Sequence, residues 1–111
     1  MKLKDIIDAC GLEAVVLPDE DVEISAAYTS DLLSDVMGHC PDDSILITVQ
    51  NHKNSVAVST LVGVQAIAVV HNRIVPDDMK NIAAQEGVAL LRSADDQFVL
   101  SCKIGKLFDD V

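Results

Sequence analysis

Asp31, Asp35 and His39 recur at four-residue intervals, a spacing that stacks side chains on one helix face and offers two carboxylates and an imidazole to a cation. One helix cannot close a coordination sphere alone, so a solvated polar face explains the pattern with fewer assumptions, and no metal site is assigned. His39-Cys40 places a base beside a thiol. Adjacent residues at a helix end point in different directions, which argues against an activated nucleophile. Asp77-Asp78 and Asp95-Asp96 supply the paired carboxylates that acid–base chemistry uses. Both pairs stand at expected helix starts, where negative charge complements free N–H groups, and capping is the simpler role.

Phosphate-loop, dinucleotide, nucleophile-elbow and His-Glu-x-x-His signatures are all absent, and Gly105-Lys106 stands alone. With no convergent acid, base and nucleophile, no catalytic residue is assigned and the chain reads as a non-enzyme. What remains is positional. Ligands of open parallel sheets lie beyond the carboxyl ends of the strands. Those positions here hold Tyr28-Thr29-Ser30-Asp31, then Gln50-Asn51-His52 with Asn54, then His71-Asn72-Arg73, then Arg92-Ser93. Both arginines and two of the three histidines fall there, a local spot suited to a small anion such as a nucleotide phosphate. The competing explanation is that loops are polar anyway and these side chains cap helices or face water.

The elements that must position these residues follow from periodicity. Leu3, Ile6, Ile7 and Cys10 fall at helical spacing, with Gly11 as a stop. Residues 13–17 form a short apolar strand ended by Pro18, and residues 22–28 alternate well enough for a second strand. Ser30 is the expected N-cap of a helix whose apolar stripe is Leu32, Leu33, Val36 and Met37. Residues 44–49, 66–70 and 88–91 are continuous apolar runs of the kind buried on both faces of a parallel sheet. Between them lie helices closed by Gly63 and Gly87, and Asp95-Asp96 opens a last helix carrying Phe98, Val99, Cys102 and Leu107. The expected fold is three-layer α/β with a mainly parallel sheet of about five strands, in a single domain over residues 1–111.

Composition narrows the partners. Eight Lys and Arg stand against 18 Asp and Glu, a formal charge of −10, and three aromatic side chains leave little for base stacking, so nucleic acid is not an expected partner. No apolar run approaches the roughly 18 residues of a membrane span, and the charged start Met1-Lys2-Leu3-Lys4-Asp5 is unlike a secretory signal, so the expected location is the cytoplasm. Cys10, Cys40 and Cys102 are too few and too widely spaced for a disulfide framework or a Cys-x-x-Cys metal site, and are read as buried or half-buried thiols. No cofactor is assigned.

Four segments resemble the DRTGG domain family in order and spacing: Tyr28-Thr29-Ser30-Asp31-Leu32-Leu33-Ser34-Asp35-Val36-Met37, Ile47-Thr48-Val49-Gln50-Asn51-His52-Lys53-Asn54-Ser55-Val56-Ala57-Val58, Gly63-Val64-Gln65-Ala66-Ile67 and Pro76-Asp77. The resemblance covers residues 1–108 and is most specific from Tyr28 to Met37. It implies a fold similar to the N-terminal domain of HPr kinase, and a module of the kind found in phosphotransacetylases and, with CBS domains, in nucleotide-regulated pyrophosphatases. Its stand-alone members accompany hydrogenase and NADH-dehydrogenase-like subunits. By this resemblance the chain is a non-catalytic regulatory or accessory domain sensing an adenine nucleotide or other small anion, with Ser25, Tyr28, Asp31, His52, Asn54 and Arg73 lining the site. The alternative it implies is a homodimeric assembly module of a hydrogenase or NADH-dehydrogenase-like redox complex. An iron–sulfur role does not carry over, because a cluster needs four thiolates and the chain has three. The family's Thr-Gly-Gly falls on Ser25-Ala26-Ala27, which keeps the hydroxyl but adds two Cβ atoms. Were positive φ needed there, each alanine would cost about 1 kcal/mol or more.

Overall fold

A computed structural model describes residues 1–109. The elements in chain order are α1 (Leu3–Cys10), β1 (Glu13–Val16), β2 (Ala26–Thr29), α2 (Leu33–His39), β3 (Ser44–Thr48), α3 (Lys53–Val62), β4 (Val64–Val69), α4 (Asp77–Glu86), β5 (Ala89–Arg92) and α5 (Gln97–Phe108). The sheet order is β1-β5-β4-β3-β2. Strands β2 to β5 run parallel, and β1 closes one edge antiparallel to β5, with Glu13 opposite Arg92.

Strands β2 to β5 lie side by side in chain order, so right-handed crossovers place α2, α3 and α4 on one face of the sheet. There Val36, Val56, Met79 and Ala83 pack on Leu46, Ile67, Val69 and Leu90. After β5 the chain passes to the other face, where Leu3 and Ile6 of α1 and Leu100 and Ile104 of α5 cover Ile45, Ile47, Ala68 and Leu91. Burial on both faces is why β3, β4 and β5 read as unbroken apolar runs. Each fully buried Leu or Ile contributes about 1.5–3 kcal/mol, and with so few rings these aliphatic side chains form most of the core. The expected α/β class, the three layers and the mainly parallel five-stranded sheet are all present.

Local expectations differ from the structure in four places. Strand β2 begins at Ala26, not residue 22, because the segment before it pairs with the chain start: Leu3 N–H donates to the Val22 carbonyl at 2.9 Å and Ile24 N–H to the Met1 carbonyl at 2.8 Å. Helix α2 begins at Leu33, so Asp31 lies outside it and the three-residue face of Asp31, Asp35 and His39 does not form. Ser30 accordingly does not cap it, and the Leu32 N–H reaches the Ser30 hydroxyl only at 3.3 Å. Of the expected α2 stripe only Val36 is buried, while Leu32 and Met37 are exposed. Helix α5 buries Leu100 and Ile104 rather than Phe98, Val99 and Cys102, and Cys102 is an exposed thiol. No described helix is long and apolar enough to cross a membrane.

Candidate functional site at the carboxyl edge of the sheet

Asp31 lies two residues beyond Thr29, the end of β2, and joins three elements. Its Oδ1 accepts from the Thr48 hydroxyl at 3.1 Å, the Val49 N–H at 2.9 Å and the Gln97 side-chain amide at 2.8 Å. Its backbone carbonyl accepts from the Gln50 side chain at 2.7 Å. One carboxylate therefore ties the ends of β2 and β3 to the first turn of α5. Three donors converging on one oxygen hold this carboxylate in a fixed orientation.

Asn51 extends the network to the next loop. Its side chain donates to the Ile74 carbonyl at 2.8 Å and accepts from the Arg73 guanidinium at 3.3 Å. His71 and Asn72 both take left-handed backbone conformations, with φ of 62° and 51°. Their N–H groups donate to the Asp95 and Ser93 carbonyls at 3.0 and 2.8 Å, so the loops after β4 and β5 are bound edge to edge. A bulky residue at positive φ is uncommon and persists where surrounding bonds hold it.

His52 takes the N-cap position of α3 in extended conformation, but its side chain makes no cap bond and is exposed. Asn54 is exposed in the same first turn, which contains no acidic residue. The positive end of this helix therefore meets solvent beside Lys53, without the opposing charge that Asp77 and Asp78 supply at α4. At the start of α5 the expected cap is present: Asp96 accepts from the Val99 N–H at 2.8 Å, while Asp95 pairs with Lys103 at 2.7 Å.

Of the six residues expected to line a site, Asp31, His52, Asn54 and Arg73 thus stand on one edge of the sheet. Tyr28 turns toward α2 instead and donates its hydroxyl to Asp35 Oδ2 at 2.6 Å. That bond pushes the phenol up to about 12 and holds the Asp35 carboxyl below its ordinary range. His39 reaches the other oxygen of Asp35 at 3.1 Å. Cys40, next in the chain, has its thiol pushed up by burial, the reverse of what a nucleophile needs. Ser25 is at the far edge, before β2, where its N–H donates to the Asp43 carbonyl at 2.8 Å. At roughly 3.3 Å per residue the length of β2 separates it from Asp31 by more than 10 Å. Ala26 and Ala27 lie in that strand and are not among the residues at positive φ, so the two added Cβ atoms impose no backbone strain.

A cleft of about 280 Å³ opens at the same edge of the sheet, on the α4 side, lined by Glu13, Ala14, Val15, Ile74, Val75, Lys80 and Arg92. Arg92 was visible in the sequence as a strand-end residue; Glu13 and Lys80 were not, because their approach depends on β1 pairing antiparallel with β5 and on α4 packing beside it.

The fold and this edge define a three-layer α/β domain with an open, polar carboxyl edge. Among solved structures it is similar to the CBS and DRTGG domains of the regulatory region of Clostridium perfringens pyrophosphatase, complexed there with the activator diadenosine tetraphosphate. The TM-score is 0.76 at 14% identity, over 93% of this chain and 45% of that one, so this chain spans less than half of the neighbour's length. The likeness is one of fold and is consistent with a DRTGG-like domain. No family model and no curated protein matches the sequence.

Proposed function

We propose that the chain is a non-catalytic regulatory or accessory domain that senses an adenine nucleotide or another small anion through the loops at the carboxyl edge. The observation that carries this reading is its fold likeness to a regulatory region bound to a dinucleotide activator. Chemistry at the edge supports it: the uncovered start of α3, His52, Asn54 and the Arg73 guanidinium present donors in an otherwise acidic molecule. Asn51 and the Oδ1 of Asp31 hold these loops in place. The association with a hydrogenase or NADH-dehydrogenase-like complex gains no support from any comparison. A second copy of the chain is a favoured partner, because β2 is an open sheet edge and Leu32, Met37 and Phe98 are exposed on the elements around it.

Thermal denaturation with AMP, ADP, ATP, diadenosine tetraphosphate and inorganic phosphate tests the ligand reading. A ligand at about 100 times its Kd adds about 2.7 kcal/mol. His52→Ala and Arg73→Ala are expected to abolish that shift while leaving the unliganded melting temperature nearly unchanged, since both side chains are exposed. An equal response in wild type and variants removes these residues from the site, and no response across the series removes the nucleotide reading.

A further inference from the structure

We infer that two copies of the chain join through β2 in one register, which sets the Ser25 hydroxyl of each copy against the free Asp31 oxygen of the other and completes the carboxyl edge across the interface. The inference rests on the second-copy reading above and adds to it the register and the residue that the partner supplies. Ser30 N–H donates to the Ile47 carbonyl of β3 at 3.2 Å. Alternation along the strand then turns the N–H and C=O of Thr29 and Ala27 the other way, toward the open edge, and both residues are exposed. The open stretch is short, because Ile24 already donates its N–H to the Met1 carbonyl at 2.8 Å. A second β2 fits it as an antiparallel mate when Ala27 of each copy exchanges both backbone bonds with the partner's Thr29. That pairing puts a two-fold axis at Tyr28 and satisfies every outward N–H and C=O of the two residues in both copies. A slip of two residues leaves Ala27 facing Asp31, or Thr29 facing Ser25, both outside the strand.

Ser25 lies as far before Tyr28 as Asp31 lies after it, so the partner's Ser25 falls opposite Asp31. Both stand on the α5 face. Alternation gives Ser25 the side of Thr29, whose hydroxyl meets that of Ser101 in α5 at 2.8 Å, and Gln97 of α5 holds the Asp31 carboxylate. An axis perpendicular to the sheet keeps that face the same in both copies. The three bonds to the Asp31 carboxylate all fall on Oδ1, and among the described residues no hydrogen bond reaches Oδ2 or the exposed Ser25 hydroxyl. An unpartnered donor thereby meets an unpartnered charged acceptor, twice by symmetry. Helix α5 packs over β2 and β3, so the two α5 helices flank the axis about 10 Å apart, roughly two strand spacings and the usual separation of packed helices. Beside Ser101 the α5 residues Phe98, Cys102 and Gly105 are exposed, and the last two are small enough for close approach. The two carboxyl edges then face opposite ends of one continuous sheet, so each copy binds its own ligand.

Oxidative cross-linking tests the register in a Cys40→Ser, Cys102→Ser background that keeps only the buried Cys10. Tyr28→Cys sets two thiols on the axis, with Cα atoms about 4.5 Å apart, and is expected to link rapidly. Ala27→Cys alone and Thr29→Cys alone are each offset from their own copies by about 8–9 Å, beyond the ~7 Å reach of a disulfide, and should link at least tenfold more slowly. An equimolar mixture of Ala27→Cys and Thr29→Cys chains should link as Tyr28→Cys does, on a fold that keeps the Tyr28–Asp35 bond. Ser25→Ala is expected to weaken self-association about tenfold with the circular dichroism spectrum unchanged, since the hydroxyl has no partner within its own chain. Faster linking of Ala27→Cys or Thr29→Cys alone, no linking in chains whose light-scattering mass is that of two, or undiminished association of Ser25→Ala overturns the register while the second-copy reading stands. A single-chain mass overturns both.

Discussion

Tyr28 and Asp35 make the most readable single interaction in the molecule, because the chain has one tyrosine and no tryptophan. The hydroxyl donates to the carboxylate at 2.6 Å, and ionising it would set two negative charges against each other, which pushes the phenol from 10.0 up to about 12. A proton held more tightly in the folded state contributes stability that is complete below pH 10 and is lost as pH rises toward 12. Alkaline titration of the tyrosinate absorbance band should therefore show a midpoint near 12 in the folded protein. Asp35→Asn should bring it down toward 10.0, and an unchanged midpoint would show that burial rather than the carboxylate raises it. The opposite sign holds for Asp35. Its lowered pKa contributes stability above the unfolded carboxylate value of about 4, lost as pH falls through the folded one. None of this follows from spacing: Tyr28 and Asp35 are seven residues apart, and they meet because β2 ends and α2 folds back over it.

Helix ends were legible at the next scale, and Gly63 shows both how far that reading goes and where it stops. Gly63 and Gly87 each follow the last turn of a helix with left-handed φ, 81° and 72°, as their positions between apolar runs predict. Their surroundings differ. A Cβ at Gly63 would fall 1.7 Å from an Asp42 carboxylate oxygen, while one at Gly87 meets nothing within 4 Å. Alanine costs about 1 kcal/mol at either site for the left-handed backbone. Gly63→Ala should lose about 0.5–1.5 kcal/mol more, because the exposed Asp42 carboxylate must swing away and give up the hydrogen bond it accepts from the Asp43 N–H. Urea denaturation of both variants measures the difference, and equal losses would mean that Asp42 swings away freely. The same limit explains α2 and α5. Their helical periods are evident in the sequence, but which apolar residues face the sheet depends on where each helix starts, and α2 starts two residues after Asp31.

Across the whole molecule, a charge of −10 and an open sheet edge act against each other. Pairing of two copies through β2 would bury Leu32, Met37 and Phe98 but bring two acidic chains together, so added salt should favour the pair by screening repulsion over the ~8–10 Å Debye length of 0.1–0.15 M salt. Light scattering at micromolar concentration is expected to give the mass of two chains, with Phe98→Lys giving the mass of one at an unchanged helical content. A single-chain mass for the wild type at every salt concentration would end the homodimer reading.

Sequence alone determined what is local or periodic: the apolar runs of β3, β4 and β5, the glycine stops of α1, α3 and α4, the Asp96 cap, and hence the α/β class and the edge where polar loops gather. These rest on bonds and burial patterns within a few residues of each position, which a linear string records. Tertiary structure decided everything that required distant segments to meet. It placed Ser25 at the opposite end of β2 from Asp31, engaged Asp31 with Thr48, Val49 and Gln97, and turned Tyr28 onto Asp35. It also built a cleft from Glu13, Lys80 and Arg92. Those residues are far apart along the chain, and their approach is set by strand order and by the face each helix takes, quantities that no short window of sequence contains.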